Sequence, residues 1–168
     1  MNKLTGITSV LLLSLSLFNV GTGFANDAPE NTPEETPENT KTEAMFVNAD
    51  SLPGKTVTAF HQALKAGDAT KALSLLDDNV LIFEGGVERS ASEYASHHLN
   101  ADIHFLADVQ STVLDHQVTI AGDLAISIQR SRKVGHYKSR DIDFESFETM
   151  SLKRTNDQWK ITHIHWSK

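Results

Sequence analysis

Two short spacings carry most of the acid–base and ligand chemistry open to this chain. His98 and Asp102 stand four apart in a helical stretch, and His163 and His165 stand two apart in an alternating one. The first spacing puts both side chains on one side of a helix, and the second puts both on one side of a strand. A histidine titrates near neutral pH, and a neighbouring carboxylate can orient and tune it. His98 and Asp102 are therefore candidates for an acid–base dyad, with His165 as a third catalytic group. Tyr94, His116, Arg130, Glu148 and His163 are candidates to line the same site and bind the ligand, with Arg130 anchoring an anionic group. The chemistry would be proton abstraction, isomerisation, dehydration or hydrolysis, and needs no cofactor. Without turnover, the same pocket is a binding module.

Other readings use the same residues. His98, Asp102, His163 and His165 offer three imidazoles and a carboxylate, a donor set that suits zinc or copper. Against this, the chain has no His-Glu-x-x-His pattern, and nothing makes the helix pair and the strand pair converge. A structural reading makes Arg130 and Glu148 an ion pair and the histidines core or edge residues. A third functional reading is a non-catalytic module that oligomerises. The serines form no nucleophile elbow, and Gly85-Gly86 reads as a turn. Lys133, Lys138 and Arg140 cluster near a hairpin tip, but Asp141 and Asp143 follow, which suggests a solvated arm.

The elements that must position these residues follow from periodicity. Val57, Phe60 and Leu64 mark a helix over 55–66, closed by Gly67. Asp68 caps a second helix over 69–76, and 80–84 reads as a short strand. Ser90, with Glu93 three residues on, is a capping box opening a helix over about 91–107. On that helix Tyr94, Ala95, Leu99, Phe105, Leu106 and Val109 form one face, with His98 and Asp102 in its middle. His97 and His104 fall on the opposite side. Four strands then alternate with period two, near 112–120, 124–134, 144–154 and 158–166.

Turn lengths set which strand faces look inward. A three-residue loop at Gly122 places Leu114 opposite Arg130. A turn centred on Ser139 places Arg130 opposite Glu148. A two-residue turn at Asn156-Asp157 places Glu148 opposite His165 and Met150 opposite His163. This parity puts His116, Arg130, Glu148, His163 and His165 inside a curled sheet, and one bulge would break it. Thr162, Ile164 and Trp166 are left on the outer face as a homodimer contact.

The order is helix, helix, strand, helix, then a meander of antiparallel strands. This is an α+β plan: a curved antiparallel sheet of four or more strands, covered by about three N-terminal helices. Such a cone tends to enclose a ligand pocket.

The rest of the chain is of a different kind. Lys3 and the apolar run Val10 to Val20 are followed by Gly23-Phe24-Ala25, which matches a secretory signal peptide over 1–25. Residues 26–44 hold six acids and one lysine, repeat Pro-Glu-Asn-Thr and lack a large apolar residue, so an acidic disordered linker is expected there. The domain is then 45–168, the protein is periplasmic or secreted, and no stable membrane insertion is expected after cleavage. The net charge of −7 gives no general attraction to nucleic acid. The absence of cysteine excludes disulfides, thiolate metal sites and thiol nucleophiles.

Phe60-His61-x-Ala63-Leu64-x-x-Gly67-Asp68, together with Trp159-Lys160-Ile161-x-His163-x-His165-Trp166-Ser167, resembles the nuclear transport factor 2-like superfamily. The SnoaL-like branch, much of it domains of unknown function, is the nearest in pattern over about 50–168. The resemblance implies a cone-shaped fold with an internal pocket. Its enzymes, such as ketosteroid isomerase, scytalone dehydratase and polyketide cyclases, use Asp, His or Tyr there for proton transfer. Other members bind or assemble without turnover, and the fold does not choose among these roles.

Overall fold

The computed structural model describes residues 45–168. The signal peptide expected at 1–25 and the linker expected at 26–44 lie outside the described residues. The described chain forms β1 (Phe46–Val47), α1 (Leu52–Ala66), α2 (Ala69–Ser74), β2 (Leu76–Phe83), β3 (Val87–Glu88), α3 (Ala91–His97), α4 (Leu99–Asp108), β4 (Val109–Ala121), β5 (Leu124–Tyr137), β6 (Arg140–Thr155) and β7 (Gln158–Ser167).

Local caps set the helix ends, at Gly67, Asp68 and Ser90 as expected and at Ser51, which starts α1 at Leu52 ahead of the expected 55. Ser51 Oγ accepts from Gly54 N ahead of α1, and Gly67 closes that helix at φ 74°. Asp68 accepts from Lys71 N at 2.8 Å. Ser90 accepts from Glu93 N at 3.0 Å, while Glu93 accepts in return from Arg89 N at 2.6 Å. The helix expected over 91–107 is interrupted at His98, whose ring is held by the buried Glu88 of β3.

The strands form one curved, unclosed seven-stranded sheet in the order β1-β4-β5-β6-β7-β2-β3. The four long strands pair antiparallel, and β1 and β2 join the outer strands of that group in parallel. The helices cover the concave face. Val57, Phe60 and Leu64 of α1 pack with Tyr94 and Leu99 against Val118, Met150, Leu152, Ile161 and Ile164. Among the described residues, no helix is long and apolar enough to cross a membrane.

The register differs from expectation at two turns and two bulges, one bulge leaving Leu114 of β4 unpaired beside Arg130. The β4–β5 and β5–β6 connections are two-residue turns, pairing Ala121 with Leu124 and Tyr137 with Arg140. Lys138 and Ser139 both adopt positive φ, a pairing typical of tight hairpin turns whose twist suits the flanking strands. Each turn is one residue shorter than assumed, which reverses β5 throughout. Ala125, Ser127, Gln129 and Ser131 face inward, and Leu124, Ile126, Ile128 and Arg130 face outward. The second bulge is at Thr162, where Leu152 pairs with Ile161 but Ser151 pairs with His163. Beyond it Ile164 and Trp166 turn inward, and His163 and His165 turn outward. Ile164 is therefore core, and the Thr162-Ile164-Trp166 dimer face is not formed.

Candidate active site in the cone

The corrected register lays one polar row across four strands. His116 pairs with Gln129, Gln129 with Glu148, and Glu148 with Trp166. Glu148 is 5 % exposed. Trp166 Nε1 donates to Glu148 Oε2 at 2.6 Å, and His61 Nε2 of α1 sits 3.1 and 2.9 Å from the two carboxylate oxygens. Burial pushes the Glu148 carboxyl up, but the His61 ring, the Trp166 indole and nearby Lys133 outweigh it and leave the carboxyl below its ordinary value. His116 is buried beside Ser127, with its Nε2 2.9 Å from Ser127 Oγ. Burial depresses its pKa and so favours the neutral ring.

Beside the Trp166 end of this row opens a cavity of about 850 Å3. His61 and Leu64 of α1 line it, with Ala101, Asp102, Phe105 and Leu106 of α4. Glu84 and Gly85 after β2, the inner side of the β5–β6 hairpin, and Trp166 to Lys168 complete the wall.

Asp102 is the titratable group best placed for chemistry. Tyr94 Oη donates to its Oδ2 at 2.7 Å from a fully buried ring. Burial raises the Asp102 carboxyl, the Tyr94 bond lowers it, Glu84 and Glu88 raise it and His98 lowers it, for a net pKa of about 6. Burial and the adjacent Asp102 push the Tyr94 phenol well above its ordinary value, so it remains a donor. Burial also raises Glu84.

The expected site residues divide. Tyr94, Asp102 and His98 meet where α3 joins α4, but His98 and Asp102 are not hydrogen-bonded to each other. His98 Nδ1 bonds to Glu88, and that bond holds its pKa above the ordinary value. His98 is half-exposed and outside the cavity wall, whereas Asp102 lines it. His116 and Glu148 face inward as expected but are buried behind the cavity wall, which His61 and Trp166 form in front of Glu148.

Arg130, His163 and His165 do not join them. Arg130 lies on the outer face, bonded to Asp115 at 2.5 Å and Glu145 at 3.1 Å. His163 donates from Nδ1 to Leu81 O at 2.8 Å and packs against Phe83, and His165 is exposed. The residues of the zinc or copper reading are thus split between the two sides of the sheet. Among the described residues, no three His, Cys, Asp or Glu are grouped to hold a metal ion.

His61, Glu84, Lys133 and Trp166 were not among the expected site residues. His61 carried a usable signal: it stands four after Val57 and three before Leu64, at the margin of the buried stripe of α1. Lys133, Lys138 and Arg140 line the cavity, with Lys138 and Arg140 at its exposed rim.

Comparison with known proteins agrees with this architecture. The sequence model of the SnoaL-like domain matches residues 54–168. A structure from Shewanella frigidimarina, described as a "putative ketosteroid isomerase", is 44 % identical, with 73 % of this chain and 99 % of that chain covered and a TM-score of 0.71. A Streptomyces avermitilis protein, described as a "putative dehydratase" of this superfamily, shares the fold at 20 % identity, 71 % and 95 % coverage and a TM-score of 0.61. The S. rosetta CaMKII hub shares it at 18 % identity, 67 % and 91 % coverage and a TM-score of 0.59. No curated protein matches the chain.

Proposed function

The chain belongs to the SnoaL-like family of the nuclear transport factor 2-like superfamily, and from that premise we propose that its cone binds a small molecule and transfers a proton on it through Asp102. The observation that carries this reading is the Asp102 carboxyl itself. It lines the cavity, one oxygen is fixed by Tyr94, and its pKa of about 6 lets it both take and return a proton near neutrality. In the ionised form Asp102 would take a proton from carbon beside a carbonyl. Returning it two atoms along gives isomerisation, and delivering it to a leaving hydroxyl gives dehydration. The names of the Shewanella and Streptomyces relatives fit this class. His98 would act on Asp102 only through the local field, as a positioning residue that secures the α3–α4 junction to Glu88.

The test is turnover of β,γ-unsaturated ketones and β-hydroxy carbonyl compounds, followed by the absorbance of the conjugated product. Asp102→Asn is expected to lose about a hundredfold or more in kcat. An Asp102→Asn variant that keeps the wild-type rate, or a wild-type protein inert across both classes, overturns the proposal.

Export is part of the reading, supported by Lys3, the Val10 to Val20 run and Gly23-Phe24-Ala25. Fractionation with N-terminal sequencing tests it, the expected mature start being Asn26 in a periplasmic or secreted fraction. A homodimer is supported by the outer sheet face, where Leu124, Ile126 and Ile128 are 58, 49 and 56 % exposed beside Phe147.

A further inference from the structure

The cavity carries a charge asymmetry that proton transfer leaves unused. Lys133, Lys138, Arg140 and Lys168 all line it, from the inner side and tip of the β5–β6 hairpin and the end of β7. The acids of the hairpin tip are elsewhere, and the inward Glu148 is buried behind the wall against His61 and Trp166. Strand alternation sends Asp141 and Asp143 to the outer face, where they pair with His136 at 2.9 Å and Arg132 at 2.5 Å. Among the described residues, none of the four cavity cations forms an ion pair. Lys133 donates to Ser111 Oγ at 2.7 Å. Lys138 lies 5.1 Å from the centre of the Tyr137 ring and Lys168 4.6 Å from that of Phe144, both rings being cavity wall. The acids in the wall, Glu84 and Asp102, come from the β2–β3 turn and α4, and burial holds both above the ordinary carboxylate value.

Between these groups the wall is apolar, with Leu64, Phe105, Leu106, Ile142 and Phe144. A neutral hydrocarbon would cover the cations without pairing them. An inorganic anion would pair them and leave the apolar wall wet. An organic acid answers both demands.

We propose that the ligand of this cavity is an amphipathic organic acid, its carboxylate held by Arg140 and Lys138 at the hairpin tip and its apolar body lying along Phe105, Ile142 and Phe144 toward Asp102. Arg140 offers a planar fork that matches a carboxylate. Phe105 packs edge-on against Tyr137, with ring centres 5.3 Å apart, so the tip and α4 meet at this end. Asp102 lies about one helical turn along α4 from Phe105. The inference rests on the cavity being the site of Asp102 chemistry and adds the class of substrate.

The experiment titrates the purified full chain with octanoate and with octanamide by calorimetry, backed by tryptophan fluorescence because Trp166 lines the cavity. Octanoate is expected to bind about tenfold tighter, a preference that shrinks with added salt. Arg140→Gln combined with Lys138→Gln, both at the exposed tip, is expected to remove that preference and leave octanamide binding unchanged. Equal affinity for acid and amide overturns the proposal, as does a preference that survives the double variant. So does failure of every acid from hexanoate to dodecanoate to bind, or displacement of octanoate by inorganic phosphate at equal concentration. Asp102→Asn separates the two claims. If it keeps the preference for acid while turnover is unchanged, the proton-transfer reading fails and the ligand class stands. If it abolishes turnover while acid and amide bind alike, the ligand class fails and proton transfer stands.

Discussion

Tyr94 and Asp102 face each other across the α3–α4 junction, with Tyr94 Oη donating to Asp102 Oδ2 at 2.7 Å. The bond sits between two opposed effects. Burial raises the Asp102 carboxyl, and Tyr94 pulls it part of the way back. A carboxylate in solvent would be too weak a base for this role, and one fully desolvated would hold its proton too tightly. The pairing leaves Asp102 between those limits.

Asp102→Asn is expected to stabilise the protein at neutral pH while removing activity. The folded pKa of about 6 is above the ordinary 3.8. A raised carboxyl favours the fold below the unfolded pKa, and that contribution is lost as pH rises through the folded one. Above pH 6 the wild type keeps a disfavoured charge that the amide lacks. Chemical denaturation at pH 7 is expected to show a gain of about 1–2 kcal/mol, and no gain at pH 4.

Glu148 has the opposite sign. Its carboxyl is held below the ordinary 4.5, so it contributes stability above that pH and loses it as pH falls through the folded value. Acid unfolding is expected to steepen below pH 4.5 in the wild type. Glu148→Ala leaves the His61 and Trp166 donors facing a buried gap and is expected to cost about 3 kcal/mol by urea denaturation. Trp166→Phe loses one hydrogen bond to a buried charge and is expected to cost about 2 kcal/mol in the same measurement.

His98 and Glu88 form a switchable tether at the helix junction. The Glu88 bond raises the His98 pKa above the ordinary 6.5. Its contribution is therefore complete below pH 6.5 and fades as pH rises through the folded value. The difference in melting temperature between wild type and His98→Ala is expected to be larger at pH 6 than at pH 9. Equal differences at both pH values would show that the ring acts by packing alone.

The outer sheet face is expected to join two copies. Ile126→Lys with Ile128→Asp puts charge in the middle of the exposed apolar row without touching the inner face. Light scattering is expected to give a dimer for the wild type and a monomer for the variant, with the melting temperature of the monomer dependent on concentration no longer.

The plan of this cone is legible in the sequence because caps and periodicity are local. Gly67, Asp68 and Ser90 set helix ends that need only neighbouring residues. The inward face of β6, and so of Glu148, also follows from simple alternation, as does that of β4 from His116 onward, beyond its bulge at Leu114. Arg130, His163 and His165 were misplaced because strand parity accumulates across turns. Two connections shortened by one residue reversed β5, and a single extra residue at Thr162 turned the end of β7 over. The isoleucines of β5 supported the wrong choice, since an apolar row suited to a partner looks the same in sequence as one suited to a core. Trp166 joins Glu148 through the shifted β6–β7 register, and His61 through packing of α1 against the sheet, neither of which a local pattern encodes.

The chemistry proposed for this cavity depends on Asp102 being ready to exchange a proton near neutral pH. Its carboxyl carbon can be followed by NMR through a pH titration, with and without saturating octanoate, and assigned by its absence in Asp102→Asn. The expected result is a pKa of about 6 in the free protein, moving further up when a second negative charge enters the cavity. A carboxyl that titrates at its ordinary value and ignores octanoate would contradict it.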